Sequence, residues 1–151
     1  MATHIQAELI RVSYPDLTSQ LPLRPRILLV DDSVELLDVI RKVLHFQYDV
    51  DVAGHAMDGQ EALEQIFLLQ PDLVIMDVHM PRMDGLTAAA SIAMLYPATA
   101  TVLMSADDSP QLREQALHCG AKGFIFKRDF AIEIGAVLGS ERRKRNVPAQ
   151  A

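Results

Sequence analysis

Hydrophobic and polar residues form two alternating patterns between residues 26 and 140. Short, continuous apolar runs end in polar residues, and each run is followed by a longer stretch whose apolar residues have helical spacing. The runs are 26–30, 50–54, 72–77, 101–105 and 123–127. Because their apolar residues are continuous rather than alternating, we predict five strands that are buried on both faces of a sheet.

A helix is predicted after each strand. The first, at 34–46, has Ser33 as its expected N-cap and the apolar set Leu36, Leu37, Ile40, Val43 and Leu44. The second, at 58–70, ends before Pro71 and has the apolar set Ala62, Leu63, Ile66, Phe67 and Leu69. The third begins near Gly85 and stops before Pro97, and the fourth and fifth are predicted at 109–120 and 129–140. This order predicts an α/β fold with one doubly wound, five-stranded parallel sheet, helices on both faces and right-handed crossovers.

Residues 25–140 are therefore expected to form one domain, with a different segment before it. In the extension at 1–24, apolar residues have helical spacing near the start, at Ile5, Leu9 and Val12. Prolines then follow at Pro15, Pro22 and Pro25 and are expected to interrupt any regular element. We predict a flexible extension, and a docking segment is the alternative.

The C-terminal segment, 141–151, contains a basic run from Arg142 to Arg145. We expect a solvated basic tail or the start of a linker, whose cations suit the C-terminal end of the last helix. Contact with nucleic acid or a targeting patch is the alternative for this run, whereas no direct nucleic-acid binding is expected of the domain itself.

Composition supports a packed domain in a reducing compartment. Half of the 151 residues are hydrophobic, and the net charge of -6 argues against a nucleic-acid-binding surface over the whole domain. The single cysteine, Cys119, cannot form an internal disulfide, which fits the cytoplasm. No apolar run reaches the roughly 18 residues that a membrane span needs, and the N-terminus lacks the apolar region of a signal peptide. We expect a cytoplasmic protein with no membrane partner.

Polar side chains follow four of the five predicted strands. They are Asp31 and Asp32 after the first strand, Asp77 after the third, Ser105 after the fourth and Lys127 after the fifth. The carboxyl ends of parallel strands meet at one edge of the sheet, where ligands bind in this class of fold. These five residues are therefore predicted to share a site.

The residue types favour phosphoryl chemistry with magnesium. Three carboxylates in one pocket repel one another, and Mg²⁺ resolves that conflict because it binds one or two carboxylates together with a phosphoryl oxygen. Lys127 offers a compact positive charge and Ser105 a hydroxyl donor for such a group. Asp77 is then the expected nucleophile, which would form an acyl phosphate.

Other interpretations stay open at this point. Taken singly, Asp32 and Asp77 resemble ordinary helix-cap or turn residues. A dinucleotide site is disfavoured because VDDSVE has no glycines. A metal-dependent phosphohydrolase with an aspartyl-phosphate intermediate is the second hypothesis. It is weakened because the chain lacks room for a cap domain, and the residue two positions after Asp77 is His79 rather than a second aspartate.

Four motifs together resemble the receiver domain of two-component response regulators, which has a flavodoxin-like fold. VDDS is similar to its acidic pair, VIMDVHMPRMDG to its phosphoacceptor strand and loop, VLMSA to its fourth strand end, and GAKGFIFK to its lysine strand. The resemblance covers about residues 25–140. It implies that Asp77 is the phosphoacceptor, and that Ser105 and Lys127 act on the phosphoryl group.

The resemblance also implies a metal site and a switch. Asp32, Asp77 and the backbone carbonyl of His79 would bind Mg²⁺ directly, and Asp31 mainly through water. Ser105 and Phe124 would form the switch pair, although Phe124 also suits an ordinary core position. One residue departs from the family's pattern: Arg128 stands where a cis proline usually follows the lysine, so we predict a trans peptide.

The implied function is signalling rather than turnover of a substrate. A sensor histidine kinase or a histidine phosphotransfer protein would donate the phosphoryl group. The resulting conformational change would reach an output domain or partner protein through the face formed by the fourth helix, the fifth strand and the fifth helix. A homodimer, a stand-alone regulator, a receiver within a longer regulator and a scaffold that is never phosphorylated are alternatives.

Overall fold

The five apolar runs form the five strands of one parallel sheet. The strands are β1 (Arg26–Val30), β2 (Asp51–Ala56), β3 (Leu73–Asp77), β4 (Ala100–Ser105) and β5 (Gly123–Phe126). Their order across the sheet is β2-β1-β3-β4-β5 and all neighbours are parallel. The computed structural model describes residues 14–145. Within them, the predicted fold class is confirmed.

Six α-helices accompany the strands in the described part of the chain. They are α1 (Pro15–Gln20), α2 (Val34–Gln47), α3 (Gly59–Leu69), α4 (Gly85–Leu95), α5 (Pro110–His118) and α6 (Phe130–Leu138). The five predicted helices correspond to α2 to α6. Polar side chains cap four of them, since Ser33, Asp58, Asp84 and Ser109 each accept a backbone N–H bond from the first turn.

The sheet separates two apolar cores. Helices α1, α2 and α6 pack on one face, where Leu37, Ile40 and Leu44 of α2 are buried. Helices α3, α4 and α5 cover the other face. Every residue of β3 is buried, as expected of a central strand covered on both sides.

The predicted apolar set of α3 was wrong at one position. Ala62 and Ile66 are buried, but the side chain of Phe67 is 69 % exposed. Phe67 lies about 100° around the helix from the buried Ile66, which puts it at the margin of the buried face, and its side chain is left largely exposed.

The prolines near the N-terminus do not prevent regular structure, contrary to the prediction. Pro15 occupies the first turn of α1, where its missing N–H has no intrahelical partner to lose. Leu17 and Leu21 are buried in the core beside α6. The predicted spacing of Ile5, Leu9 and Val12 lies outside the described residues.

The solvated-tail prediction was wrong for the first residue of the basic run. Arg142 is only 3 % exposed, and its guanidinium donates to the backbone carbonyls of Leu21, Pro22 and Leu138. Arg143 continues with an isolated antiparallel bridge to Tyr48. The C-terminal turn is therefore part of the domain, and residues 146–151 lie outside the described part.

Two further features bear on the predictions. Between residues 14 and 145 there is no cis peptide, so the bond from Lys127 to Arg128 is trans. Lys127 and Arg128 belong to a 3-10 turn, Lys127–Asp129, between β5 and α6.

None of the helices described here combines the length and apolar character that a membrane crossing requires.

Candidate functional site

Strand register brings the predicted residues to one edge of the sheet. Val30 of β1 pairs with Met76 of β3, so the residues that follow, Asp31 and Asp77, stand at the same level on adjacent strands. On the other side, Asp77 pairs with Met104 of β4. The residue after Met104, Ser105, pairs with Phe126 of β5, and Lys127 follows directly.

Three carboxylates meet at this edge. One side-chain oxygen from each of Asp31, Asp32 and Asp77 lies within 4.8 Å of the others. Asp31 and Asp77 are buried, whereas Asp32 is exposed. The apolar runs that precede them impose this placement, because they fix where each strand ends.

Lys127 pairs with the two buried carboxylates. Its Nζ atom lies 2.8 Å from Oδ2 of Asp31 and 3.3 Å from Oδ1 of Asp77. Burial alone would lower the pKa of Lys127, but the hydrogen bond to Asp31 and the two negative charges outweigh it, and the pKa is raised. Lys127 therefore stays charged at neutral pH.

The carboxyl group of Asp77 has a raised pKa. Burial is the largest cause, and the charge of Asp31 adds to it. Lys127 and a backbone hydrogen bond from His79 act in the opposite direction and favour the carboxylate. A second cation near Asp77 would favour the ionised form further.

The donor set fits a hard divalent cation. Oδ1 of Asp31 accepts the N–H of Ser33 at 2.9 Å, whereas the buried Oδ2 has the ammonium of Lys127 as its partner, at 2.8 Å. Three carboxylates thus face one ammonium, and the excess negative charge suits Mg²⁺. The side chain of His79 is exposed, and its backbone N–H bonds to the carboxylate of Asp77.

The loop after β3 is fastened to β4 and α4. The N–H of Val78 donates to the carbonyl of Met104 at 2.9 Å, and the N–H of Gly85 donates to the carbonyl of Val78 at 2.8 Å. A Cβ on Gly85 would lie 2.2 Å from the carbonyl oxygen of Asp77. Glycine is therefore required for α4 to begin this close to the site.

A second fastening of the same loop was not predicted. Nε of Arg82 donates to Oδ2 of Asp58 at 2.7 Å, and the Nη2 group bonds the same oxygen. Asp58 also caps α3 through the N–H of Glu61 at 2.9 Å. The capping position of Asp58 was readable from the sequence, but nothing in the sequence pairs it with a loop residue far along the chain.

The two residues of the expected switch are both inside the fold. Ser105 is buried, and its Oγ accepts the N–H of Asp107 at 3.0 Å. Phe124 is 2 % exposed and packs edge-on against Phe126, with ring centroids 5.5 Å apart. Arg113 stacks over both rings.

Comparison with known proteins gives one consistent family. The sequence profile described as "Response regulator receiver domain" matches residues 27–134. Protein-glutamate methylesterase/protein-glutamine glutaminase 3 of Geobacter sulfurreducens is 39 % identical over 102 residues, which cover 68 % of this chain and 27 % of that protein. Probable transcriptional regulatory protein NarL of Mycobacterium tuberculosis is 35 % identical over 128 residues, which cover 85 % of this chain and 59 % of NarL.

Solved structures agree with these sequence matches. The signal receiver domain of NarL from Mycobacterium tuberculosis superposes with a TM-score of 0.70 at 35 % identity, over 77 % of this chain and 92 % of that one. A CheX-CheY-BeF3-Mg+2 complex from Borrelia burgdorferi gives a TM-score of 0.68 at 26 % identity, over 80 % of this chain and 92 % of the matched chain. The chain spans less than two thirds of the curated relatives named above.

Proposed function

Because this chain belongs to the family of response regulator receiver domains, we propose that Asp77 is the residue that accepts the phosphoryl group. The chain is a phosphorelay receiver by family. The observation that supports Asp77 is the convergence of its carboxylate with Asp31 and Asp32 within 4.8 Å and with Lys127 at 3.3 Å. Asp31 also contacts the lysine, at 2.8 Å, but it has no exposed surface and its Oδ1 accepts the N–H of Ser33. Asp77 is the last residue of the central strand β3 and keeps a little exposed surface.

The proposed reaction moves a phosphoryl group from a phosphohistidine to Asp77. A carboxylate oxygen of Asp77 attacks phosphorus, the P–N bond of the donor breaks, and its electron pair returns to the imidazole. The new P–O bond makes Asp77 an acyl phosphate. Lys127 then pairs with the added negative charge, and the hydroxyl of Ser105 donates a hydrogen bond to a phosphoryl oxygen.

The acidic residues are proposed to hold Mg²⁺. Asp32, Asp77 and the backbone carbonyl of His79 would bind it directly, and Asp31, whose Oδ2 already pairs with Lys127, would act through water. When bound, Mg²⁺ neutralises charge that develops on the phosphoryl oxygens. Asp32 is the most accessible of the three acids, so it is the expected first contact.

Phosphoester hydrolysis is the weaker alternative. The family match is to a receiver domain, and the methylesterase/glutaminase of Geobacter sulfurreducens aligns with this chain over only 27 % of its own length. The activity named for that relative therefore belongs to a longer protein. We propose that this chain, with residues 25–140 as its receiver domain and with α1 and the C-terminal turn packed against that domain, is a signalling module that catalyses its own modification and does not turn over a substrate.

The proposed partners follow from the proposed reaction. A sensor histidine kinase or a histidine phosphotransfer protein in the cytoplasm would supply the phosphoryl group. An output domain or a partner protein would read the change through the face formed by α5, β5 and α6. On this face Arg113, Phe126, Arg128 and Glu133 line an open groove of about 410 Å³. The CheX-CheY-BeF3-Mg+2 complex of Borrelia burgdorferi, in which a chain of this fold is bound to a second protein, supports a protein partner.

Phosphorylation with a small donor tests the proposal. Incubation with acetyl phosphate and Mg²⁺ should add one phosphoryl group, measured as a mass increase that alkali removes. Asp77→Asn should abolish the increase, whereas Asp108→Asn, an exposed acid in the loop after β4, should not. Unchanged labelling of Asp77→Asn would assign the phosphoacceptor elsewhere, and steady release of inorganic phosphate from many small esters would favour the hydrolase.

The metal site has its own test. We expect Mg²⁺ binding in the roughly submillimolar to millimolar range, because the clustered carboxylates need a counter-charge. Asp32→Ala should weaken binding strongly and Asp31→Ala less so, whereas Glu35→Ala, an exposed acid on α2, serves as the control. Equal affinity in wild type and Asp32→Ala would exclude Asp32 as a ligand.

A further inference from the structure

The strand that delivers Lys127 to the site is held by a partner strand on one side only. β5 has four residues, stands at the edge of the sheet and pairs with β4 alone. An edge strand presents unpaired N–H and C=O groups on its outer side. Because Lys127 directly follows β5, the position of the ammonium depends on how this edge is held.

Tyr14 satisfies the outer edge of β5. Its hydroxyl donates to the carbonyl oxygen of Phe124 at 3.1 Å, and the N–H of Phe124 approaches the same hydroxyl oxygen at 3.5 Å. Tyr14 is 8 % exposed, and burial raises the pKa of its hydroxyl, so the hydroxyl keeps its proton. At Phe124, one side chain thus replaces the two hydrogen bonds that a neighbouring strand would supply.

The strand is shaped for this ring. A Cβ on Gly123 would lie 2.8 Å from Cε1 of Tyr14, so the ring occupies the space that any larger residue at position 123 would fill. The contact therefore has two separate parts, which are the hydroxyl on the backbone of Phe124 and the ring against Gly123. Two matched features at adjacent residues indicate a built contact rather than a chance approach.

The segment that carries Tyr14 is itself anchored, and residues 14–22 are called the strap below. Leu17 and Leu21 are buried against the core that contains α6. At its far end the guanidinium of Arg142 donates to the carbonyl of Leu21 and, at 2.8 Å, to that of Pro22. Tyr14 therefore holds β5 from a fixed support.

The distance that Lys127 spans makes this support relevant to the chemistry. From β5 its side chain crosses β4 to reach Asp77 on β3, which is two strand spacings of about 4.8 Å each. A displacement of about 1 Å at a reacting group can cost up to about 100-fold in rate, even when its cause lies far from the site. A small shift of the β5 edge would thus move the ammonium away from Asp77.

We propose that Tyr14 is a positioning residue of the phosphorylation site, which acts by fixing the β5 edge that carries Lys127. This inference rests on the proposed function, because it assigns Tyr14 a part in the phosphorylation of Asp77. The strap is then neither a flexible tail nor a cover for the core alone. It links the N-terminal side of the domain to the edge where the phosphoryl group is received.

Tyr14→Phe separates the hydroxyl from the ring. The variant keeps the contact with Gly123 and loses both bonds to Phe124. We expect the rate of labelling by acetyl phosphate at saturating Mg²⁺ to fall by about threefold or more, with changed amide chemical shifts at residues 124–128. Gly123→Ala, which displaces the ring, should lower the rate in the same way.

Two controls distinguish positioning from general stability. Tyr96→Phe removes a hydroxyl from a partly buried tyrosine on the opposite face, and Ile66→Val weakens a core position of α3. Both should be labelled at the wild-type rate when all variants are compared well below their melting temperatures. A wild-type protein that takes no label would refute the proposed function itself. A labelled wild type with an equal rate in Tyr14→Phe, or an equal loss in Ile66→Val, would overturn the role of Tyr14.

Discussion

The ammonium of Lys127 lies 2.8 Å from Oδ2 of Asp31, although Lys127 follows β5 and Asp31 follows β1, and both β3 and β4 lie between these strands in the sheet. Asp31 has no exposed surface, whereas the side chain of Lys127 is 22 % exposed. A buried carboxylate is costly without a partner. Lys127 therefore stabilises the acidic site in addition to its proposed contact with the phosphoryl group.

Replacement of Lys127 should destabilise the domain. Lys127→Met leaves the buried carboxylate of Asp31 without its cation, and we expect a loss of about 2–3 kcal/mol in the free energy of unfolding. This loss is below the full cost of breaking a buried pair because the lysine is partly exposed. Mg²⁺ should raise the melting temperature of Lys127→Met more than that of wild type. The control Lys42→Met breaks an exposed pair with Asp38 and should cost less than about 1 kcal/mol. Equal losses in the two variants would contradict this role of Lys127.

Substitution of Gly85 should disturb the site from its backbone side. The Cβ of Gly85→Ala would meet the carbonyl oxygen of Asp77 at 2.2 Å, so α4 or the end of β3 must move. We expect a loss of about 1–3 kcal/mol and slower labelling of Asp77. In the control Gly135→Ala the nearest atom is the Tyr48 hydroxyl at 3.1 Å, and labelling should be unchanged. Wild-type labelling of a folded Gly85→Ala would show that the approach can relax without cost.

The strand ends were predictable from the sequence because burial leaves a simple trace there. An apolar run that stops at Asp31 or Asp77 marks both the end of a strand and the first polar residue at that edge, and parallel topology brings the ends together. The register of the sheet then places Asp31 beside Asp77, since the preceding residues, Val30 and Met76, are paired.

The contacts that fasten the site were not predictable in the same way. Tyr14 and Phe124 are 110 positions apart, and Arg82 and Asp58 are 24 apart, so no local pattern joins them. Pro15 was interpreted as a breaker of regular structure although it starts a helix. Arg142 was interpreted as part of a solvated run, because its buried acceptors are backbone carbonyls that a sequence does not display.

The link between Asp58 and Arg82 should make stability depend on pH. The backbone N–H of Glu61 and then the guanidinium of Arg82 lower the pKa of Asp58 below its usual 3.8. For an acid whose pKa is lower in the folded state, the stabilisation is complete above the usual pKa and is lost as pH falls through the folded value. The difference in unfolding free energy between wild type and Asp58→Ala should therefore be about 1–2 kcal/mol near pH 7 and shrink below about pH 4.

Chemical denaturation at several pH values measures this difference. Asp38→Ala, which removes an exposed acid from α2, should show a small difference at neutral pH. A difference for Asp58→Ala that stays constant from pH 7 to pH 3 would mean that the carboxylate charge does not contribute. The loop after β3 should also lose order in the variant, measured as faster amide exchange at residues 79–84.

Loss of the Ser105 hydroxyl should leave phosphorylation possible but reduce the response. Ser105 is buried at the end of β4, one position beyond the partner of Asp77, and its Oγ accepts the N–H of Asp107. A bound group shifts a conformational equilibrium only by its different affinity for the two states. Without the hydroxyl, the phosphoryl group loses the contact that would draw β4 towards it, whereas Asp77 keeps its nucleophile and Lys127 its charge.

The expected response of Ser105→Ala can be read from amide chemical shifts with and without beryllofluoride, an acyl-phosphate mimic. The ring of Phe124 is already 2 % exposed and packs on Phe126, so we expect changes in packing around Phe124 rather than burial of an exposed ring. In wild type the shifts should change across residues 105–128, and in Ser105→Ala these changes should be smaller.

Ser105→Thr keeps a hydroxyl and should respond as wild type does. Thr101→Val on the same strand removes a buried hydroxyl that has no hydrogen bond in the described structure, and its response should also be unchanged. Because both controls leave the hydroxyl at position 105 in place, equal shifts in wild type and Ser105→Ala would show that the signal leaves the site by another route, with Lys127 and β5 as the next elements to test.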